Sequence, residues 1–85
     1  MQLRVKLFAL ARQLAGSDSV VVSVAAPATV RDVRRELGES CPALRGLLPR
    51  MMFAVDSEFA DESRPVTEAS ELACIPPVSG GQGER

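Results

Sequence analysis

The segment Ile75-Pro76-Pro77 sets the boundary of whatever this chain folds into. Proline fixes φ and lacks the N–H that a strand ladder needs. Two in succession end strand pairing and turn the chain out of the domain. The body is therefore complete near residue 76, with a strand as its last element. Beyond it come Val78-Ser79-Gly80-Gly81 and then Gln82-Gly83-Glu84-Arg85. Glycine has no Cβ, so Gly80-Gly81 can enter a channel that excludes any side chain. We expect a domain over residues 1–76 and a flexible tail over 77–85 that offers Gly80 and Gly81 to another protein's active site.

A body of this size has room for one small core. With no Trp or Tyr and three Phe, that core must be aliphatic. The net charge of −1 argues against a nucleic-acid binder that works by neutralising phosphates. No apolar run approaches the length of a membrane span, so the expectation is a cytoplasmic protein without membrane contact. Histidine is absent. Ser-His and Cys-His nucleophile pairs and His-ligated metals are thereby excluded, and no metal site is expected. Cys41 and Cys74 are too far apart in sequence for a CxxC motif and read as two small buried hydrophobes rather than a disulfide or, for Cys74, a sulfur-transfer thiol.

From Leu3 to Phe8 the pattern alternates, with Leu3, Val5 and Leu7 on one face and Arg4, Lys6 and Phe8 on the other. That is a half-buried strand. Ala9 to Ala15 predicts one or two helical turns, closed by Gly16-Ser17-Asp18. Ser19 to Val24 predicts a second strand, antiparallel to the first. Thr29 is an N-cap candidate, with Asp32 at the third helical position. Val30, Val33 and Leu37 form one apolar helical stripe, and Gly38 is a C-cap candidate, the alternative being a helix that runs a turn further. The remaining charges on this helix, including Arg31, Arg34 and Arg35, read as a solvated face.

Cys41 to Arg50 is irregular, with Leu44, Leu47 and Leu48 in a short turn over the core. Met51 to Val55 predicts a third strand, Asp56-Ser57-Glu58 a turn, and Phe59 the start of a return strand. Asp61 to Ser70 is polar and acidic. With Asp56, Glu58, Asp61, Glu62, Glu68 and Glu71 it reads as a solubilising loop region. Leu72 to Ile75 is the last strand. The order β-β-α-β-(β)-β around one main helix predicts an α+β, ubiquitin-like β-grasp fold. Its mixed sheet of four to five strands would have the last strand beside the first.

That neighbourhood would place Phe8 and Ile75 together on the open side of the sheet, as an apolar island of the kind that marks an interaction site. Arg12 and Lys6 are candidates for pairing with partner carboxylates, although nothing in their spacing singles them out.

Val5-Lys6-Leu7-Phe8-Ala9, Ala11-Arg12-Gln13-Leu14-Ala15-Gly16, Ala28-Thr29-Val30, Phe53-Ala54-Val55-Asp56 and above all Pro76-Pro77-Val78-Ser79-Gly80-Gly81 resemble one family: the small, sulfur-carrying subunit of molybdopterin synthase (MoaD-like). The resemblance spans about residues 3 to 81. It implies that the Gly81 carboxylate is adenylated by an E1-like activating enzyme that uses ATP, and is then converted to a thiocarboxylate. Sulfur would be delivered to a pyranopterin precursor inside the large, catalytic subunit of the synthase, in a heterotetramer. The chain itself would be a non-catalytic carrier that binds no cofactor. Partner contacts would include Phe8, Phe59, Ile75, Pro76, Pro77 and Val78. A thiamine-type sulfur carrier and a ubiquitin-like protein modifier are the competing readings.

Members of that family end at the second glycine, whereas here Gln82-Gly83-Glu84-Arg85 follows. Three readings of the extension stand: a precursor cut after Gly81, an expression remnant or severed fusion, and a paralogue that binds without carrying sulfur.

Overall fold

A computed structural model describes residues 1–76 of the chain. Strand β1 (Gln2–Leu7) leads through helix α1 (Ala9–Ala15) into β2 (Ser19–Ser23). A two-residue strand β3 (Ala28–Thr29) precedes the main helix α2 (Val30–Ser40). Two short 3-10 turns, Pro42–Leu44 and Leu48–Arg50, connect to β4 (Met52–Val55) and β5 (Glu58–Ala60). The two-residue β6 (Pro65–Val66) and then β7 (Leu72–Ile75) are the last elements among the described residues.

The main sheet has five strands in the order β2-β1-β7-β4-β5. The last strand lies beside the first and parallel to it, with Val5 opposite Leu72 and Leu7 opposite Cys74. All other pairs in this sheet are antiparallel. The mixed sheet on one main helix is the expected β-grasp arrangement. One side is closed: Leu3, Val5, Leu7, Val22, Phe53, Val55, Leu72 and Cys74 pack against Val30, Val33 and Leu37 of α2. Full burial of such side chains stabilises the fold by roughly 1.5–3 kcal/mol each.

Helix α2 begins where Thr29 indicated. The Thr29 N–H donates to Asp32 Oδ2 at 2.9 Å and its hydroxyl to the same oxygen at 3.3 Å. These bonds hold the Asp32 carboxyl below the usual carboxylate range, with the backbone bond as the first cause. The next two N–H groups of the helix, of Val30 and Arg31, donate to the Arg64 and Glu62 carbonyls, both at 3.0 Å. Those bonds, with the β3–β6 pair, tie the loop after β5 to the helix entrance. Sequence pattern does not mark this small second sheet, because two residues carry no periodicity.

Three local expectations need correction. Gly38 is not the C-cap; the helix continues past it, as the alternative had it, to Ser40 and is capped at Cys41. Gly38 is instead a packing position, where an added Cβ would come within 3.0 Å of Leu48 Cδ1. The third strand starts at Met52, and Met51 is buried in the core.

Arg34 is not part of a solvated face. Its guanidinium Nη2 lies 2.7 Å from Glu62 Oε2, Nη1 donates to the Met51 carbonyl at 2.9 Å and to the Leu48 carbonyl, and the group sits 4.9 Å from the Phe53 ring centroid. It bolts helix, loop and strand together.

Candidate functional site: the open sheet face and the end of the last strand

Cross-strand register determines which side chains share the open face. Lys6 is opposite Ala73, Ala73 opposite Ala54, and Ala54 opposite Phe59. This row runs from β1 to the sheet edge. The next row contains Ile75 and Met52, which are direct partners. Phe8 follows β1 with an extended backbone (φ −125°, ψ 155°), so its side chain continues the outward series of Arg4 and Lys6. Continuing the Lys6–Ala73 and Leu7–Cys74 register by one residue sets Phe8 beside Ile75.

Phe8 is held from both sides. The Leu7 N–H donates to the Asp18 carbonyl at 2.9 Å, and the Phe8 carbonyl accepts the Ala11 N–H at 3.1 Å. Ala9 takes a left-handed φ of 51°, turning the chain sharply into α1. The backbone at Phe8 is thus fixed while its side chain stays 46% exposed.

Phe59 is 65% exposed on the edge strand β5, and Ile75 is half-buried. Pro76, the last described residue, is buried. Pro77, Val78, Gly80 and Gly81 lie outside the described residues. Met52, 48% exposed beside Ile75, belongs to the same apolar surface and was not singled out from the sequence. The alternation of Met52 and Ala54 against Phe53 and Val55 was the signal that marks it. A shallow concavity in this face is lined in part by Arg4, Lys6, Phe8, Ala54, Ser57 and Glu71. The face is therefore apolar along one end and charged along its rim.

The far side offers little chemistry. Cys74 is fully buried, and burial pushes its thiol up to about 12, despite the opposing pull of the Arg34 charge. Both cysteines are free thiols, Cys41 being half-buried. Among the described residues, no group of three or more His, Cys, Asp or Glu side chains is placed to hold a metal ion, and no helix is long and apolar enough to cross a membrane. What this surface can do is bind: it presents apolar side chains on a fixed backbone beside the end of the last strand.

The model of the ThiS family matches residues 5–81, nearly the whole chain. The chain belongs to the ThiS family. It is 32% identical over 81 residues to a molybdopterin synthase sulfur carrier subunit of Arabidopsis thaliana, covering 95% of this chain and 84% of the relative. It is 35% identical over 83 residues to the protein of the same name from Caenorhabditis briggsae, covering 95% and 99%. Among solved structures, SAMP1 from Haloferax volcanii superposes with a TM-score of 0.81 at 35% identity, over 95% of this chain and 100% of that one. A second structure, described as the small archaeal modifier protein 1 of the same organism, is 32% identical over 91% and 98%, also at TM-score 0.81. This ThiS-family chain thus has the β-grasp fold of these proteins, and the family match extends through Gly80-Gly81.

Proposed function

We propose that this protein is a cytoplasmic sulfur carrier in molybdenum cofactor biosynthesis. The observation that carries the reading is the apolar open face, with Phe8, Ile75 and Met52, at the end of the strand that directly precedes the sequence Pro77-Val78-Ser79-Gly80-Gly81. The relatives named above, each a molybdopterin synthase sulfur carrier subunit, support it.

In this reading a protease first hydrolyses the Gly81–Gln82 bond, because a carrier needs the carboxylate on glycine. An E1-like enzyme then condenses that carboxylate with ATP, releasing pyrophosphate. The acyl adenylate has a good leaving group, and a sulfide-level sulfur nucleophile attacks the Gly81 carbonyl, forming the C–S bond as the C–O bond to AMP breaks, to give the thiocarboxylate. The carrier docks its open face on the large subunit of molybdopterin synthase, within a heterotetramer. Phe8, Phe59, Ile75 and Pro76 make the contact, while Pro77 and Val78 guide Gly80 and Gly81 into the catalytic tunnel. Prolines in the arm lower the entropy cost of threading it. The carrier binds no cofactor and needs no base or metal of its own, since the activating enzyme and the large subunit supply the chemistry.

Intact mass of the protein from its native cell tests this reading. A species ending at Gly81, or one heavier by the exchange of oxygen for sulfur, is the expected result. Full-length protein alone, with no AMP adduct after incubation with ATP and the activating enzyme, would sink it. Pull-down of the large subunit tests the surface: Phe8→Glu should abolish capture, and undiminished capture would remove Phe8 from the interface.

A second reading, a ubiquitin-like modifier joined through Gly81 to lysines, rests on the likeness to the small archaeal modifier protein at 32% identity. A ladder of conjugates in native extracts, in place of recovered synthase subunit, would favour it.

A further inference from the structure

The main sheet ends on two edge strands, and they are built differently. On one side is β5, three residues long, which opens on Glu58; that carboxylate lies 3.6 Å from Arg64 Nη1. A short, charged edge resists pairing with another chain. On the other side is β2, the five residues Ser19-Val20-Val21-Val22-Ser23, with no charge and no proline. β-Branched residues at an unprotected edge favour the addition of a strand.

Hydrogen-bond parity identifies the spare groups of β2. The Val24 N–H donates to the Met1 carbonyl at 2.9 Å, the Met1 ammonium to the Val24 carbonyl at 2.7 Å, and the Leu7 N–H to the Asp18 carbonyl at 2.9 Å. In an antiparallel pair the directly bonded partners recur at every second residue. The bonded partners between these two ends are therefore Leu3 with Val22 and Val5 with Val20. Val20 and Val22 direct their N–H and C=O groups to β1, whereas Ser19, Val21 and Ser23 direct theirs out of the sheet. At Ser19 a local plug is present: the Ser17 hydroxyl donates to the Ser19 carbonyl at 2.8 Å and accepts the Ser19 N–H at 3.3 Å.

The strand is also a palindrome about Val21. Two copies related by a two-fold axis at Val21 would match Val21 with Val21, Ser23 with Ser19, and Val20 with Val22. Parity is met at the same time, because the bonded pairs are then formed by the residues with outward groups. Each Val21 N–H donates to the Val21 carbonyl of the other copy. Each Ser23 N–H donates to the Ser19 carbonyl of the other copy, which has a second lone pair beside the one used by Ser17. The exposed Val21 side chains meet on the open side, and Val20 and Val22 meet on the helix side. Like faces stay together, as register requires.

We propose that β2 is a self-association edge: a second copy of this chain adds to it antiparallel, centred on Val21, and joins the two sheets into one. The contact is isologous and closes as a dimer. An edge of roughly 17 Å does not by itself reach the roughly 1,200–2,000 Å² of a stable interface, so the dimer forms only at high protein concentration. Phe8, Ile75 and Met52 lie outside β2 and take no part in the pairing, so the proposal stands apart from the carrier reading.

Sedimentation equilibrium of the full chain at low ionic strength, from micromolar to millimolar concentration, tests it. The expected average mass rises towards twice that of one chain. Val21 is 45% exposed, so the monomer accommodates a charge there. Val21→Lys and Val21→Glu each set like charges across the two-fold axis and should hold the protein at monomer mass, with circular dichroism showing that each is folded. An equimolar mixture of the two variants should associate again, because lysine then meets glutamate. In the parent, amide exchange at Val21 and Ser23 should slow as concentration rises, while that at Val20 and Val22 stays the same. A parent that is monomeric at millimolar concentration, single variants that still dimerise, or a mixture that associates no better than its components would each overturn the proposal. Loss of the dimer on Phe8→Glu would also overturn it, since the copies would then meet through the open face.

Discussion

The two faces of the central sheet are cut from the same strands, yet they have opposite fates. Below the sheet, Leu7, Cys74 and Phe53 stand in one cross-strand row and Val5, Leu72 and Val55 in the next, all buried against α2. Above it, Phe8, Ile75 and Met52 form a comparable row with nothing from the described chain laid over it. Residue type alone does not separate them, since Phe53 and Phe8 are the same amino acid. What separates them is parity along the strand and the side on which the helix packs. The covered face holds the fold together; the open face is free for binding.

The sharpest break of this contrast is on the covered side. Phe53→Ala removes the largest fully buried side chain and leaves a cavity under the Arg34 guanidinium. The expected loss is about 3–5 kcal/mol, a large share of what a domain of this size possesses. Urea unfolding followed by far-ultraviolet circular dichroism would read it, and a loss under about 1 kcal/mol would mean that the two faces are not energetically distinct.

Arg34→Ala comes next. It removes charge-assisted bonds to two main-chain carbonyls and the pair with Glu62. Glu62 is 39% exposed and can rehydrate, so little of the cost comes from its lost ion pair. The Leu48 carbonyl keeps the Met51 N–H at 3.1 Å, so the Met51 carbonyl deprived of its guanidinium donor sets the scale, about 1–3 kcal/mol. Arg35→Ala, on the exposed side of the same helix, should cost a few tenths of that. Equal effects would return Arg34 to the solvated face.

How far the sequence reveals this contrast depends on the length of each element. In β1 six residues alternate, so both faces were legible, as was the placing of Phe8 with Arg4 and Lys6. In β4 only four residues repeat, and Met52 went unassigned although its parity with Ala54 was visible. Arg34 resembled its neighbours because charge hides position. It stands four residues after Val30 and three before Leu37, on the flank of the buried stripe, and that spacing was the available clue. The β3–β6 pair had no clue, because it exists to satisfy the first N–H groups of α2 and is specified by loop closure rather than by pattern.

A smaller effect follows from the thiol on the covered face. Cys74 has its pKa raised from an ordinary value of 9.0 to about 12, burial being the main cause. A group raised on folding contributes stability that is complete below its unfolded value and is lost as pH climbs towards the folded one. Between pH 9 and 10 the unfolded chain ionises Cys74 while the native state does not, so stability should fall by about 1 kcal/mol by pH 10. Cys74→Ala should lower overall stability but flatten this alkaline slope, and identical slopes would rule out the linkage. Cys41, half-buried, should react with a thiol reagent in the native protein, while Cys74 waits for unfolding.

The smallest expected effect on stability lies on the open face, and it is the one that gives the comparison its meaning. Met52→Thr and Phe8→Thr exchange exposed apolar side chains for a residue that suits a strand, and each should shift stability by about 0.5 kcal/mol or less. The same changes should sharply weaken capture of the synthase large subunit, because an anchor buried at the centre of an interface commonly contributes about 2 kcal/mol or more to binding. Stability held while capture is lost is the signature of a face kept apolar for a partner. If Phe8→Thr instead costs as much stability as a core truncation, then Phe8 belongs to the body of the domain. The docking surface would then have to be sought nearer Phe59, at the far edge of the sheet and away from the tail.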